Sequence, residues 1–555
     1  MNAANAITQV LEEHSAKSAD ETAYIFLDDQ GEETGRITYS ELFKRANSFA
    51  ARLACYEEQA RIVVILPTSV EFPIAMLGCM LAGKIAVPLP VPNNHRTGNM
   101  LAMLDDCQPS CIISSGSILS TVKAKLAGTK WQSLKVVALD DCPNDDHIHQ
   151  GRIIDSHSIA LLQYTSGSTS EPKGVIVRHG NIMANHQMLK DAFGLERTDT
   201  VVGWAPLHHD QGLIGNLLHP LYIGAKCVLM SPMAFLRSPL LWLRVITRFR
   251  AHTSGGPNFA FNLCVDRYRP GQCDDIELSS WKIAFNGAEP ISAATIRRFC
   301  TTFEPFGFVA GSMFPCYGMA EATLFVSGGP KGAGSVFLPQ DKAADGAVAK
   351  ELVCSGVVHP EISVLIRPLG DRGPALEPHL GEICIAGPSV TSGYWRRERE
   401  DMVVDPKTGV RYLPTGDIGF LSEEGIYVTG RRKELMIVRG KNIYPYDIER
   451  TITESHATFQ QGGCAVFSVA NEEAGEDVVA VQEVARAARH SLAYDELAGL
   501  VRKNVIRDHD IRLNRLYFVT PGYIPRTTSG KIRRVALASS LQAQTAKQAG
   551  IVATC

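Results

Sequence analysis

The chain has 555 residues, which is too long for one hydrophobic core and predicts two or more domains. Hydrophobic residues make up 45% of it and charged residues 20%, the balance of a soluble globular protein. A net charge of only −3 gives no indication of a nucleic-acid partner. The 14 cysteines are scattered without any CxxC pair, so they predict no metal centre and fit a reducing, cytoplasmic location.

Neither the N-terminal residues nor the most apolar segment has the pattern of a targeting signal or a membrane span. Residues 1–20 are polar and of mixed charge, without the apolar stretch of a signal peptide. The most apolar segment, residues 72–91, is interrupted by three prolines, two glycines and a lysine. It therefore predicts a buried helix followed by a strand, and no stable membrane insertion.

The first third of the chain alternates between strand-like and helix-like patterns. Ser40 is the predicted N-cap of the first helix. Continuous apolar runs are typical of strands buried on both faces. The predicted strands are residues 24–27, 36–39, 62–66, 85–89, 111–114, 136–139 and 159–162, and further helices are 71–82 and 100–106. This alternation predicts an α/β fold with a doubly wound, mostly parallel sheet.

The same pattern continues and then changes twice. Helices are predicted at 181–193 and 240–249, and strands at 226–230, 282–285, 362–366, 382–385 and 426–428, the last three in a β-rich subdomain. Residues 331–351 are rich in Gly, Ala, Asp and Lys, which indicates an insertion or a surface loop.

The charged run RRKE at 431–434 is a predicted hinge. Residues 1–430 would then form a large N-terminal domain, and residues 431–555 a small α+β domain. The predicted elements of the small domain are strands 464–469, 478–484 and 516–519 and helix 492–505.

A loop rich in hydroxyls follows the strand at 159–162. Its sequence, YTSGSTSEPKG at 164–174, offers hydroxyl and backbone donors and one lysine, a composition that suits a polyphosphate. It differs from a Walker A loop because Pro172 precedes Lys173 and Gly174 follows it. A solvated turn is the simpler reading of such a cluster when it stands alone.

Five more stretches offer polar groups next to glycines. Two adjacent histidines at 208 and 209 diverge in direction, so a pocket-lining loop is favoured over a metal site. Asp417 is predicted on a glycine-flanked turn, where it could accept both hydroxyls of a ribose. Each stretch alone could be structural. They are WAPLHHDQGL at 204–213, FNGAEP at 285–290, CYGMAEA at 316–322, LPTGDIG at 413–419 and IPRTTSGKIR at 524–533.

Taken together and in this order, the stretches resemble the adenylate-forming superfamily of acyl-CoA synthetases, luciferases and nonribosomal adenylation domains. The similarity covers about residues 38–533. Within the superfamily the chain looks most like the fatty acyl-AMP ligases, which carry an insertion where residues 331–351 lie. The stretches behind this resemblance are QYTSGSTSEPKG, PLHHDQGLIGNLLHP, SGGPNFAF, FNGAEP, PCYGMAEATLF and VRGKNIYPYDIE.

The resemblance implies activation of a carboxylic acid by ATP and Mg²⁺ to an acyl-adenylate and pyrophosphate. It gives Lys531 the bridge between the attacking carboxylate and the α-phosphate. Glu321 would bind Mg²⁺, together with Thr165, and His209 would lie near the acyl carboxylate. The β- and γ-phosphates would be held by Thr165, Ser166, Gly167, Ser168, Thr169 and Lys173.

The resemblance also implies a nucleoside site and an acyl channel. Asp417, helped by Arg431, would bind the ribose. Adenine would stack on Tyr317, beside Gly318, with Gly287 and Ala288 on its other side. Residues Gly256, Asn258 and Phe259 would border the acyl channel.

For the second half-reaction the resemblance implies rotation of the small domain about Lys433. The acyl group would pass to the phosphopantetheine thiol of a separate holo acyl carrier protein, since no carrier serine motif is present in this chain. Two alternatives remain at this point: an acyl-CoA synthetase that uses free CoA, and a non-catalytic adenylate-binding or carrier-docking module. Gln211 and Glu434 depart mildly from the usual methionine and aspartate.

Overall fold

The computed structural model describes most of the chain as a mixed α/β protein. The described residues are 5–92, 97–139, 154–165, 172–271, 273–339, 351–369, 380–397, 401–438, 441–471, 475–489, 491–526, 531–542 and 551–554. Within them, no helix is both long and apolar enough to cross a bilayer.

Strands are numbered in chain order. The first fourteen are β1 Thr22–Leu27, β2 Glu33–Thr38, β3 Arg61–Val64, β4 Ile85–Pro88, β5 Cys111–Ser114, β6 Val136–Ala138, β7 Ile159–Thr165, β8 Lys173–Arg178, β9 Thr200–Gly203, β10 Lys226–Met230, β11 Thr253–Gly256, β12 Ile283–Asn286, β13 Met313–Gly318 and β14 Phe325–Gly328. The others are β15 Phe337–Pro339, β16 Glu351–Val353, β17 Val357–Val358, β18 Ser363–Pro368, β19 Gly381–Ala386, β20 Val403–Val404, β21 Arg411–Leu421, β22 Ile426–Arg431, β23 Met436–Val438, β24 Lys441–Ile443, β25 Phe459–Asn471, β26 Gly475–Val484, β27 Arg515–Val519 and β28 Ile551–Thr554.

The α-helices are α1 Ile7–Lys17, α2 Tyr39–Leu53, α3 Glu71–Leu81, α4 Thr97–Cys107, α5 Gly116–Leu126, α6 His179–Phe193, α7 His219–Ile223, α8 Pro232–Arg237, α9 Pro239–Phe249, α10 Asn258–Arg267, α11 Ala293–Phe303, α12 Pro445–Glu454, α13 Tyr494–His509 and α14 Arg534–Gln542. A π-helix covers Gln211–Leu218, and 3-10 helices cover Glu304–Phe306, Ala310–Ser312, Ala320–Ala322 and Arg432–Glu434.

Two large sheets form the centre of the N-terminal part. One has nine strands in the order β17-β14-β13-β12-β11-β9-β10-β1-β2, and the other has six in the order β6-β5-β3-β4-β7-β8. Their central neighbours are parallel, while β2, β8, β14 and β17 pair antiparallel at the edges. Helices α2, α3 and α6 contribute buried side chains to one core shared by both sheets. The predicted doubly wound α/β class is confirmed.

Besides the two-stranded pairs β15-β16 and β23-β24, two smaller sheets occur in the described residues. The third has five strands, with β21 paired to β19, β20 and β22. The fourth, β25-β26-β27-β28, has its own apolar clusters, whose buried members all lie between Met436 and Leu537. Residues 436–554, here the C-terminal part, therefore bury an apolar core of their own.

Several element predictions are confirmed and others are wrong. The apolar segment forms α3 and β4, as expected. The N-cap of α2 is Thr38 rather than Ser40, because Thr38 and Glu41 form a reciprocal capping box. Strands β8 and β9 were not predicted, since Lys173 and the short run after Thr200 gave no clear apolar period. Residues 340–350 of the predicted insertion lie outside the described part, and their flanks pair as β15 and β16.

Candidate active site

The carboxyl ends of three neighbouring parallel strands form one edge of the site. Strand β11 ends at Gly256, β12 leads into Gly287 and Ala288, and β13 contains Tyr317. Ligands bind at this edge in open α/β sheets, because loops diverge there and leave a crevice. Ala288 has a φ of 70°, in the left-handed region that non-glycine residues rarely adopt.

A cavity of about 1660 Å³ opens beside this edge and is called here the central cavity. It brings together every predicted site residue whose side chain the structure describes, and it also includes the predicted hinge residue. These lining residues are Lys173, His209, Gly256, Asn258, Phe259, Gly287, Ala288, Tyr317, Gly318, Glu321, Asp417, Arg431, Lys433 and Lys531. Ser166, Gly167, Ser168 and Thr169 lie outside the described residues, and Thr165 is described by its backbone alone.

Asp417 lies within strand β21 and not on a turn, which corrects the sequence prediction. The glycines on either side of Asp417 suggested a turn. In the structure Gly416, with a φ of 76°, bends strand β21 just before Asp417 without ending it. Asp417 is 6% exposed, and its carboxylate accepts hydrogen bonds from the Tyr317 hydroxyl at 2.8 Å and from Arg431 Nε at 3.1 Å. Burial, followed by the Asp417 charge, raises the pKa of Tyr317 well above its usual value, so its hydroxyl remains a donor.

Glu321 lies on the 3-10 helix Ala320–Ala322, four residues after Tyr317. Its carboxylate accepts a hydrogen bond from the Tyr394 hydroxyl at 2.8 Å. The Lys173 ammonium lies over the same tyrosine ring, 5.2 Å from its centroid. Sequence reasoning missed Tyr394, because no local motif marks a residue that meets both groups only in the fold.

Lys531 reaches the central cavity from the C-terminal part. Burial is the main cause of the lowered pKa of Lys531, and the charge of the Arg431 guanidinium lowers that pKa further. The carboxylates of Asp210, Asp417 and Glu289 oppose that shift.

Asp210 and Glu289 were not predicted as site residues, although both flank predicted ones. Burial raises the pKa of each carboxyl, and the nearby Lys531 ammonium counteracts it. Asp210 also accepts the backbone N–H of Gln211 at 2.7 Å. The catalytic lysine predicted from the sequence thus lies among acidic side chains of the N-terminal part.

His209 precedes the π-helix Gln211–Leu218, an element that is rare and often found at functional sites. The rings of His208 and His209 are 4.9 Å apart, and the His208 carbonyl accepts a bond from Gln163 at 2.6 Å. Among the described residues, no group of three or more His, Cys, Asp or Glu side chains could hold a metal ion. Both histidines line the central cavity.

The proposed acyl side of the cavity has an aromatic wall. A Cβ added to Gly256 would lie 2.5 Å from Trp204 Cζ2, so the wall approaches this backbone closely. Trp204 stacks on Phe235 at 4.1 Å and meets Phe259 edge-on at 6.0 Å between ring centroids. Asn258 Nδ2 donates to the Pro290 carbonyl at 2.8 Å and so fixes the turn after β12.

Lys433 lies at the centre of the 3-10 helix Arg432–Glu434. Its two sequence neighbours, Arg432 and Glu434, form ion pairs with different parts of the chain. Arg432 pairs at 3.0 Å with Glu382 of β19, whereas Glu434 pairs at 2.9 Å with Arg534 of α14. One side of Lys433 is thus fastened to the N-terminal part and the other to the C-terminal part.

Comparison with known proteins agrees with this geometry. Residues 11–395 match the model of the AMP-binding enzyme family, and residues 433–549 match the AMP domain of Disco-interacting protein 2-like proteins. The medium-chain-fatty-acid–[acyl-carrier-protein] ligase JamA of Moorena producens is 36% identical over 547 residues, which cover 93% of this chain and 91% of JamA.

Solved structures give the same result. One from a study of fatty acyl-adenylate ligases from E. coli and L. pneumophila has a TM-score of 0.87 and 30% identity, covering 98% of each chain. The L. pneumophila fatty acyl-adenylate ligase in complex with acyl adenylate and pyrophosphate has a TM-score of 0.74 and 32% identity, covering 100% of this chain and 98% of that one. The chain therefore belongs to the AMP-binding enzymes and, within that family, to the fatty acyl-AMP ligases.

Proposed function

We propose that this protein uses ATP to convert a fatty or other aliphatic carboxylic acid into an acyl-adenylate and pyrophosphate. The observation that carries the proposal is the position of Lys531 in the same cavity as Lys173, Glu321 and Asp417. A phosphate-binding lysine, a metal-binding carboxylate, a ribose acceptor and a second lysine are the groups this reaction needs. The aromatic wall formed by Trp204 and Phe259 suits an apolar acyl chain.

Asp417 is the proposed acceptor for the ribose hydroxyls. A carboxylate has about four acceptor positions, and Tyr317 and Arg431 occupy two of those on Asp417. The remaining positions are available to two hydroxyls of a nucleoside. Tyr317, Gly318, Gly287 and Ala288, at the strand ends, are the proposed walls of the adenine site.

Glu321 is the proposed Mg²⁺ ligand, with Thr165 as a second candidate. Magnesium is commonly bound by only one or two carboxylates together with substrate phosphates, so the Glu321 carboxylate alone would suffice as its protein ligand. When bound, the ion would neutralise phosphate charge. Lys173 would bind the β- and γ-phosphates together with residues 165–169 and stabilise the departing pyrophosphate.

Lys531 is the proposed catalytic cation. The substrate carboxylate oxygen forms a bond to the α-phosphorus, while the bond from that phosphorus to the bridging oxygen breaks and pyrophosphate leaves with the electron pair. Two anions must approach each other, so a positioned ammonium stabilises the transition state. Its acidic neighbours Asp210 and Glu289 favour the charged form of Lys531 despite burial. His209 would lie beside the acyl carboxylate.

We further propose that the acyl group passes to the phosphopantetheine thiol of a separate acyl carrier protein in the cytoplasm. The thiol attacks the acyl carbonyl, and AMP leaves. Residues 1–430 and 431–555 would act as two domains that rotate about Lys433, in keeping with the opposed ion pairs of Arg432 and Glu434. The name of JamA as an acyl-carrier-protein ligase supports this acceptor.

A product assay tests the proposal. The enzyme is incubated with ATP, Mg²⁺ and a panel of fatty acids, with either CoA or a holo carrier protein, and thioesters are quantified by mass spectrometry. We expect acid-dependent pyrophosphate release and acylated carrier protein. Efficient acyl-CoA formation would instead make the protein an acyl-CoA synthetase, and no pyrophosphate release with any acid would contradict the adenylation itself.

A further inference from the structure

A short segment after β19, residues 391–397, runs beside the strand that follows the predicted phosphate loop. Tyr394 forms an antiparallel bridge with Val175 of β8. The Gly393 carbonyl accepts the N–H of Ile176 at 3.1 Å, and the N–H of Trp395 donates to the Gly174 carbonyl at 2.8 Å. This segment, called here the clamp segment, therefore extends the sheet beside β8.

The clamp segment also holds the backbone on both sides of Lys173. Arg397 donates to the Pro172 carbonyl at 3.0 Å, and Trp395 binds Gly174 on the other side. Because residues 172 and 174 are both fastened to it, the backbone position of Lys173 depends on the clamp segment.

The same segment fixes the backbone of Glu321. The N–H of Thr391 donates to the Glu321 carbonyl at 2.7 Å, and the Thr391 hydroxyl donates to the Ile176 carbonyl at 2.6 Å. Thr391 is 6% exposed, so water competes little for these bonds. The two site residues, which lie far apart in sequence, thus share one backbone support.

The side chain of Tyr394 contacts the side chains of both site residues, Glu321 and Lys173. Its hydroxyl donates to Glu321 Oε1 at 2.8 Å, and its ring lies 5.2 Å from Lys173 Nζ. A cation over an aromatic face and a hydroxyl bound to a carboxylate are both favourable contacts with fixed geometry. One tyrosine thereby separates and orients two groups of opposite charge that would otherwise attract each other.

We propose that Tyr394 is a positioning residue that holds Lys173 and Glu321 apart, so that one triphosphate with its magnesium ion fits between them. This rests on the proposed adenylation function. Without the hydroxyl, the Glu321 carboxylate is free to turn toward the Lys173 ammonium, and each charge is then partly neutralised before the nucleotide binds. The ring and the hydroxyl act on different partners, so they can be tested separately.

The test compares Tyr394→Phe, Tyr394→Leu and the control Tyr412→Phe, whose hydroxyl pairs with Ser363 at 2.8 Å. Isothermal titration measures binding of ATP and of pyrophosphate, each with and without Mg²⁺, in the full-length protein. We expect Tyr394→Phe to weaken binding with Mg²⁺ about 10-fold, the effect of one hydrogen bond to a charged group, and to change binding without Mg²⁺ less. Tyr394→Leu should weaken pyrophosphate binding further in both conditions, because Lys173 loses the ring.

Steady-state kinetics give a second measurement. The Mg²⁺ concentration for half-maximal pyrophosphate release should rise in Tyr394→Phe, with the KM for the fatty acid unchanged. Equal binding by Tyr394→Phe and the wild type, or equal losses with and without Mg²⁺, would overturn the inference while leaving the proposed function intact. A wild-type protein that binds neither ATP nor pyrophosphate would overturn both, and unaltered melting temperatures exclude a folding defect.

Discussion

Asp417 of β21 contacts side chains of two other strands, β13 and β22, in the proposed nucleotide site. Its carboxylate is buried and binds both Tyr317 and Arg431. We predict that Asp417→Asn weakens ATP binding by about 10- to 100-fold, because a charged hydrogen-bond acceptor is worth about 1.5–3 kcal/mol. Titration of ATP by calorimetry measures the change.

The matched control is Asp405→Asn. Asp405 accepts bonds from Lys407 and Thr408 on an exposed turn of the same sheet, outside the lining of the central cavity. ATP binding by this variant should equal that of the wild type. If Asp417→Asn also bound ATP normally, Asp417 would not be the ribose acceptor.

At Gly256 the backbone lies close to the aromatic wall, with no room for a Cβ beside Trp204. We predict that Gly256→Ala raises the KM for long-chain acids roughly 10-fold and lowers the free energy of unfolding by about 1–3 kcal/mol, because the added methyl group overpacks against Trp204. Kinetics with acids of increasing length check the first effect.

Gly499→Ala is the control for this substitution, since nothing lies within 4 Å of its added Cβ on helix α13. Its kinetics should not change. An unaltered KM across the acid series in Gly256→Ala would show that the channel does not pass this wall.

Individual site residues could be predicted where a motif names them. Lys173, Asp417 and Lys531 each lie in a stretch whose composition already suits phosphate or ribose. Tyr394 could not be predicted, because its partners become neighbours only when the clamp segment pairs with β8. The same holds for Glu289 and Asp210 near Lys531.

Among the elements, the 3-10 helix Arg432–Glu434 supports a specific prediction. Glu434 is tied to Arg534, and Arg534 also binds Glu449 of α12 with two bonds of 2.7 Å. We predict that Glu434→Ala slows acyl transfer to the carrier about 3- to 10-fold, the range of a partly buried ion pair, with pyrophosphate release within about 2-fold of wild type.

Single-turnover assays of the two half-reactions measure this separately. Glu496→Ala, at an exposed position on α13, is the control and should leave both rates unchanged. A Glu434→Ala variant with parallel losses in both half-reactions would argue against a hinge role for this helix.

Elements with a strong apolar period could be predicted, and irregular ones could not. Helix α3 and strand β4 could be predicted because both lie in a nearly continuous apolar run, and such a run is buried on all sides. Strand β21 was missed at Asp417 because its proline and glycines are typical of turns, whereas its pairing with β19 and β22 continues on both sides of the bend at Gly416. The π-helix Gln211–Leu218 has no sequence pattern that separates it from an α-helix.

At the scale of the whole molecule, buried histidines make the N-terminal part sensitive to acid. His186 and His219 are almost fully buried with rings 5.5 Å apart, and neither ring nitrogen of either residue has a hydrogen-bond partner in the described part of the chain. Burial lowers the pKa of His219 to about 3 and that of His186 well below its usual value.

Proton linkage decides whether the free energy of unfolding rises or falls as the pH is lowered. In the unfolded chain these histidines titrate near 6.5, so well above that pH they are neutral in both states and their contribution to stability is constant. As the pH falls below 6.5, these histidines bind protons in the unfolded state but stay neutral in the folded state. We predict that the free energy of unfolding falls by up to about 1.4 kcal/mol per pH unit for each histidine.

Urea unfolding followed by tryptophan fluorescence measures this effect in the N-terminal part, since all 5 tryptophans precede residue 396. A His186→Leu/His219→Leu variant should lose much of the slope between pH 6.5 and 5, whereas the exposed control His157→Gln should keep it. An unchanged slope in the double variant would place the acid sensitivity elsewhere.

The overall organisation could be predicted because strand and helix patterns alternate over most of the chain, and this alternation has few stable arrangements. The position of the C-terminal part against the N-terminal part could not, since it depends on contacts such as those of Lys531, Arg432 and Glu434 that form only across the fold. Residues of both parts line the central cavity.

The most direct test of the account is formation of an acyl-adenylate by the wild type and by Lys531→Ala, with Lys503→Ala on α13 as the exposed control. Mass spectrometry quantifies acyl-AMP, and a coupled assay quantifies pyrophosphate. We predict that both products form in equal amounts and only when a fatty acid is present, and that Lys531→Ala, but not Lys503→Ala, loses at least about 100-fold of this activity. Formation of ADP, products without an acid, or full activity in Lys531→Ala would contradict it.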